Sequence, residues 1–258
     1  MNPTFTILGY VLSTYHLFML LAIIGFIVCM KILINRYQFE NFEFFYYLSL
    51  IFVLGFLGAK VFYLFEDFSF ANFKYKLTYI KKGYVLYGGL LMVFLSSYLY
   101  AKSKKINAFL LLDLNSIALC LSIVIGKIAC LMAGCCYGIP TNIESIGLVY
   151  TNPITIAFPK NEPLFPIQII DSLFALVLFA VLLFLNLKIK MRNGSIFILF
   201  CTIYPIYRFL SETYRADTAR GFMFDGMLSL SQFYSILVLL FALFYFVFWN
   251  IKLRRKKA

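Results

Sequence analysis

The chain has 258 residues, of which 63% are hydrophobic and 13% charged, and its mean hydropathy is +0.89. A soluble domain of this length cannot bury so much apolar surface, so composition excludes one and points to an integral membrane protein. The net charge of +12 would suit nucleic acid or anionic lipid, and the placement of the basic residues decides between them.

Residues 1–10 lack a basic start and a small-residue cleavage site, so no cleavable signal peptide is expected. Unbroken apolar runs long enough to cross hydrocarbon follow near 12–34, 44–65, 84–101, 108–134, 167–187, 195–213 and 229–250. These runs are not the short alternating segments of a β-barrel. The expected fold is an all-α integral membrane protein with seven transmembrane helices, forming one polytopic domain over 1–258.

With the N-terminus outside, thirteen basic residues fall on the cytoplasmic side, from Lys31 and Arg36 to the tail "KLRRKKA", against seven outside. That asymmetry predicts an N-out, C-in chain whose basic tail is a topology anchor, with membrane lipids as neighbours and no nucleic acid. Four of the outer seven, Lys74, Lys76, Lys81 and Lys82, lie in the aromatic-rich segment 66–83, which is expected to lie in the interface.

Three cations remain inside the apolar runs: Lys60, Lys127 and Arg208. A charge in a span costs several kcal/mol (about 3 on insertion scales) unless paired, so each marks a candidate functional site. All three fall in the outer half of their spans, where Glu212 stands one turn beyond Arg208 and Asp171 and Gln168 open the fifth span. Ion pairs such as Arg208 with Glu212 would account for some of this. Three cations with fewer acids at one depth favour a bound anion, and a phospholipid head group is the one reached from the bilayer itself. Asp113, Cys120, Lys127 and Gly134 recur every seven residues along one stripe of the fourth span. Asp113 lies about 21 Å from Lys127 along the helix and cannot be its partner.

Six cysteines, at 29, 120, 130, 135, 136 and 201, raise metal and redox readings. Cys130, Cys135 and Cys136 lack C-x2-C spacing, and His16, the only histidine, is distant in sequence, so no metal site is expected. A disulfide from Cys130 to Cys135 or Cys136, close packing at a Gly-rich helix end, and a thiol nucleophile activated by Lys127 are the alternatives. Paired glycines, Gly88 and Gly89, follow Tyr87 at the start of the third span, as helix packing would require.

The pieces "STYHLFMLLAIIGF", "FLGAKVFYLF", "YGGLL", "IGKIACLMAGCCYG", "FPIQIID", "YRFLSETYR" and "LSLSQFYSI" stand in order from about Tyr10 to Ser235. In that order the chain resembles the prolipoprotein diacylglyceryl transferase family. The resemblance implies seven helices, N-out and C-in, in a bacterial plasma (inner) membrane. It implies transfer of a diacylglyceryl group from phosphatidylglycerol to the lipobox cysteine of a preprolipoprotein, with release of glycerol phosphate and no diffusible cofactor or metal.

Arg208, Glu212 and Arg215 coincide with the family's Arg-x3-Glu-x2-Arg segment, and Gly88, Gly89, Gly126, Gly134, Gly138, Pro166, Gln168 and Tyr15 also match. In the signature segment Lys127 stands for an arginine, Cys130 and Ala133 for asparagines and Cys135 for a glutamate, while Tyr87 stands where many members have histidine. Lysine keeps the charge but loses the bidentate fork. The usual acid and base candidates are gone. The residues and the resemblance together give Lys127, Tyr87, Arg215, Cys130 and Cys135 as candidate catalytic residues, and Tyr15, Lys60, Gly88, Gly89, Gly134, Gln168, Arg208 and Glu212 as candidate substrate-binding residues. Two rivals share these residues: a lipid or acyl transferase with a cysteine nucleophile and another acceptor, and a lipid-binding relative without catalysis.

Overall fold

The computed structural model describes residues 3–7, 10–64, 83–143, 145–189, 191–217, 221–223 and 226–255. The expected interfacial segment 66–83, apart from Gly83, lies outside them. Seven α-helices occupy the seven apolar runs among the described residues: α1 Thr14–Tyr37, α2 Phe44–Leu64, α3 Leu86–Ser103, α4 Ala108–Ala133, α5 Ile167–Lys188, α6 Ser195–Ser211 and α7 Leu230–Arg255. Among the described residues five of them, α1, α2, α4, α5 and α6 with the turn after it, are long and apolar enough to cross a membrane. Large apolar side chains such as Leu20, Val28, Phe56, Leu99, Val177 and Phe244 are exposed along the helices. Such surface belongs against hydrocarbon, where helices satisfy their backbone groups internally.

Three short antiparallel pairs accompany the helices: β1 Thr4–Ile7 with β2 Tyr10–Ser13, β3 Leu148–Val149 with β4 Pro163–Leu164, and β5 Phe222–Met223 with β6 Leu228–Ser229. The chain divides into two compact units. One holds Met1–Cys29, Ser116–Met191 and Ile198–Ala258, the other Met30–Asn115 and Arg192–Phe197.

In the second unit α2 and α3 pack through glycines. A Cβ on Gly58 would lie 2.6 Å from the Gly88 carbonyl oxygen, and one on Gly88 would lie 2.6 Å from that of Gly58. Only hydrogen side chains allow this approach. Buried Tyr47 reaches Ser97 Oγ at 2.9 Å and donates to Asn115 Oδ1 at 2.8 Å, joining α2, α3 and α4. Asp113 accepts from the backbone N–H of Gly194 at 2.6 Å and of Phe197 at 2.7 Å, satisfying donors at the start of α6 that have no helical partner.

In the first unit the 134–166 connection is held by a small core of Tyr150, Ala157 and Leu164. Its first stretch is sandwiched by backbone pairing. Phe165 N–H donates to Ile139 O at 2.8 Å, Ile139 N–H to Tyr214 O at 3.1 Å and Ala216 N–H to Tyr137 O at 3.0 Å. The segment after α6 is thereby laid against the segment after α4.

Candidate active site

Lys127 in α4 places Nζ 2.6 Å from Asp171 Oδ2 in α5, with the side chains 14% and 3% exposed. The other carboxylate oxygen accepts from Tyr207 of α6 at 2.6 Å. One buried carboxylate therefore ties three helices together. Ser172 Oγ donates to Val124 O at 3.0 Å beside it, fixing α5 against α4. The phenol ring of Tyr207 stacks on Phe174, with centroids 3.6 Å apart.

Next to Tyr207 in the chain, Arg208 has Nη2 2.5 Å from Glu212 Oε2 and donates to Ser231 Oγ of α7 at 3.0 Å. The i, i+4 ion pair expected from the sequence is present. A 3-10 turn at Glu212–Tyr214 ends α6 and brings Arg215 within 3.6 Å of the same Glu212 oxygen. Arg215 also forks onto Asp217, Nε to Oδ1 at 2.9 Å and Nη2 to Oδ2 at 2.7 Å. The bidentate geometry holds the guanidinium plane in a fixed orientation.

Among the described residues of this unit, the cations embedded in the apolar runs are each paired with an acid. Lys127, Arg208 and Arg215 are matched by Asp171, Glu212 and Asp217. Lys60 belongs to the second unit, where Nζ donates to Gly83 O at 3.0 Å and lies 3.7 Å from the Tyr84 ring centroid. Sequence could not pair Asp171 with Lys127, because which faces of α4 and α5 meet depends on packing.

Three thiols complete the cluster. Helix α4 ends at Gly134, with φ +72°, where Cys135 N–H returns to Cys130 O at 3.1 Å in a 6→1 closure. A Cβ on Gly134 would stand 3.0 Å from Thr155 Cβ, so both conformation and space favour glycine. Cys136 follows with φ +55°, unusual for a residue with a side chain. This double reversal gathers the Sγ atoms of Cys130, Cys135 and Cys136 within 4.8 Å of one another. All six cysteines are free, so the disulfide alternative is not formed. The Cys136 thiol is held well below the ordinary thiol range, first by hydrogen bonds from Cys130 and Cys135, then by the charges of Arg215 and Lys127. Cys135 is pushed upward by its bonds with the other two sulfurs and by burial.

Gln168 Nε2 donates to Cys135 O and to Tyr150 Oη, both at 3.0 Å, so it braces the loop carrying the thiols. Its Oε1 is buried without a hydrogen-bond partner among the described residues. Burial pushes the Tyr150 phenol up to about 12 despite the bond from Gln168. Tyr15 of α1 lies within electrostatic range of all three thiols.

The first unit thus brings together Tyr15, Lys127, Cys130, Gly134, Cys135, Gln168, Arg208, Glu212 and Arg215. Tyr87, Gly88, Gly89 and Lys60 belong to the second unit, where Tyr87 is buried in the first turn of α3 and the glycines serve the α2 contact. Sequence reasoning missed Tyr207, Asp217 and Cys136 as members of the site. Cys136 carried a signal, its place in the C-x4-C-C run; Tyr207 and Asp217 carried none beyond adjacency to Arg208 and Arg215.

The family model described as "Prolipoprotein diacylglyceryl transferase" matches residues 3–248. A Clostridium tetani protein named "Phosphatidylglycerol--prolipoprotein diacylglyceryl transferase" is 36% identical over 74% of this chain and 75% of its own length. A Clostridium perfringens protein named as the second enzyme of that kind is 35% identical over 73% and 72%. A Finegoldia magna protein with the same name is 27% identical over 92% and 90%. With the family model matched over nearly its whole length, the chain belongs to the prolipoprotein diacylglyceryl transferase family.

Proposed function

We propose that the protein transfers a diacylglyceryl group from phosphatidylglycerol to the lipobox cysteine of a preprolipoprotein at the outer face of the bacterial plasma membrane. The match to the transferase family over residues 3–248 is the observation that carries this reading. Seven spans with the N-terminus outside, as the loop charges favour, would set the thiol and charged cluster at that face.

In the reaction the acceptor thiolate attacks the diacylglyceryl carbon bonded to phosphate, a C–S bond forms, and the C–O bond breaks with its electron pair on glycerol phosphate. The leaving group gains a negative charge, so catalysis needs donors aimed at phosphate. Lys127 supplies them. Asp171 takes one N–H of an ammonium that has three, and the side chain is the more exposed of the pair. Arg215 stabilises the same phosphate, with Arg208 contributing field or structure. Tyr15 positions donor or thiol, Gln168 orients the loop of Cys135, and Gly134 gives the backbone its reversal at the end of α4. Glu212 holds both arginines in register.

The test is transfer of labelled diacylglyceryl from phosphatidylglycerol to a lipobox peptide by purified protein in detergent, with glycerol phosphate release as a second readout. Transfer abolished in Lys127→Ala supports the reading. Lipid binding without glycerol phosphate release would make the chain a non-catalytic relative.

A further inference from the structure

Where an acid or base would be expected to deprotonate the acceptor, the site presents three free thiols with their Sγ atoms within 4.8 Å of one another. A tetrahedral ion bonded to sulfur at about 2.3 Å holds its sulfurs about 3.8 Å apart, so inward shifts of under about 1 Å would seat one. The spacing in sequence does not predict this. Cys130 lies on α4 and Cys135 and Cys136 lie beyond it, and only the reversal at Gly134 and Cys136 turns them onto one point. Lys127 and Arg215 are the nearby cations, suited to the net negative charge of a tris-thiolate complex. Three protein ligands are the number used by catalytic rather than structural zinc sites, which keep the fourth position open.

We propose that Cys130, Cys135 and Cys136 bind one thiophilic d10 cation, with Zn2+ as the probe, and that its open position takes the acceptor cysteine as thiolate. Binding releases the protons of whichever of the three thiols are protonated. The acceptor thiol then releases its proton to water on coordination, since a metal-bound thiol is deprotonated outright. Its sulfur forms the C–S bond, the C–O bond to phosphate breaks, and the cation keeps its three protein thiolates without change of oxidation state. This role rests on the proposed transfer reaction; the binding of the cation does not.

The experiment uses the reduced full-length protein in detergent with Co2+ as the coloured substitute for Zn2+. One Co2+ per chain is expected, with sulfur-to-metal charge-transfer bands that Zn2+ abolishes. Those bands should strengthen by about one third when a peptide with a single cysteine is added, and not with its serine counterpart. Cys136→Ser and Cys130→Ser should each lower affinity at least tenfold, while Cys29→Ser and Cys201→Ser retain it. Folding is followed by thermal melting of each variant, and protection of the three thiols from alkylation by Zn2+ gives a readout in wild type alone. Binding unaffected by the two substitutions, no protection in wild type, or a disulfide among the three would overturn the site. An unchanged spectrum with the peptide would overturn the acceptor role. Transfer at an unchanged rate after metal removal overturns it too but leaves the transfer reading standing, whereas cation and peptide binding with no transfer would sink that reading instead.

Discussion

Lys127 and Asp171 are paired at 2.6 Å in a setting where both are largely removed from solvent, and Tyr207 holds the second oxygen of the same carboxylate. Breaking a buried pair from one side leaves an uncompensated charge and typically costs about 3–5 kcal/mol. Asp171→Ala should therefore lower thermal stability more than Lys127→Met, because Tyr207 still satisfies Asp171 in the latter. A double-mutant cycle with Lys127→Met and Asp171→Leu should show a coupling of about 1–3 kcal/mol. Additive melting shifts would refute the pairing.

For the reaction, Lys127→Arg keeps the charge and adds a fork, whereas Lys127→Met removes it. The expected outcome is transfer within about tenfold of wild type for arginine and a loss of about 100- to 1,000-fold for methionine. Rates of glycerol phosphate release at saturating lipid check this. Equal losses in both would show that the pair is structural only.

Gly138 carries no chemistry, yet a Cβ there would stand 2.2 Å from the Phe165 carbonyl oxygen. Gly138 also forms an isolated antiparallel bridge with Arg215. Gly138→Ala should displace the Arg215 segment and reduce transfer by at least tenfold, with about 1–3 kcal/mol of destabilisation from overpacking. Wild-type turnover in that variant would show that Arg215 is placed by other means.

The glycine contact between α2 and α3 predicts a different phenotype. Gly58→Ala and Gly88→Ala each force the two helices apart, because the added methyl meets backbone oxygen at 2.6 Å in both cases. Each should destabilise by about 1–3 kcal/mol, and the double variant by less than the sum, since one displacement accommodates both methyls. Melting of the three proteins in detergent measures this.

Asp113 tests the other end of α4. Asp113→Ala removes two backbone partners at the start of α6 and should cost about 0.5–2 kcal/mol, as loss of a helix cap does. Asp113→Asn should recover part of that stability. Transfer by the folded fraction should be unchanged, and a selective loss of turnover would give Asp113 a role in the site.

The seven apolar runs located the helices to within about five residues at their ends, because helix position in a membrane chain follows from local hydropathy and length, which are sequential quantities. The ion pair of Arg208 with Glu212 was legible for the same reason: four residues along a helix fixes a side-chain neighbour. The order of the family's motifs likewise carried the family without any coordinates. Which charge neutralises Lys127, how Arg215 reaches the thiols and whether three irregularly spaced cysteines meet were decided only in three dimensions. Each depends on the azimuth at which helices pack and on left-handed backbone at Gly134 and Cys136. Those are set by contacts between residues far apart in the chain, such as Lys127 with Asp171 and Ile139 with Tyr214, whose pairing no local pattern encodes.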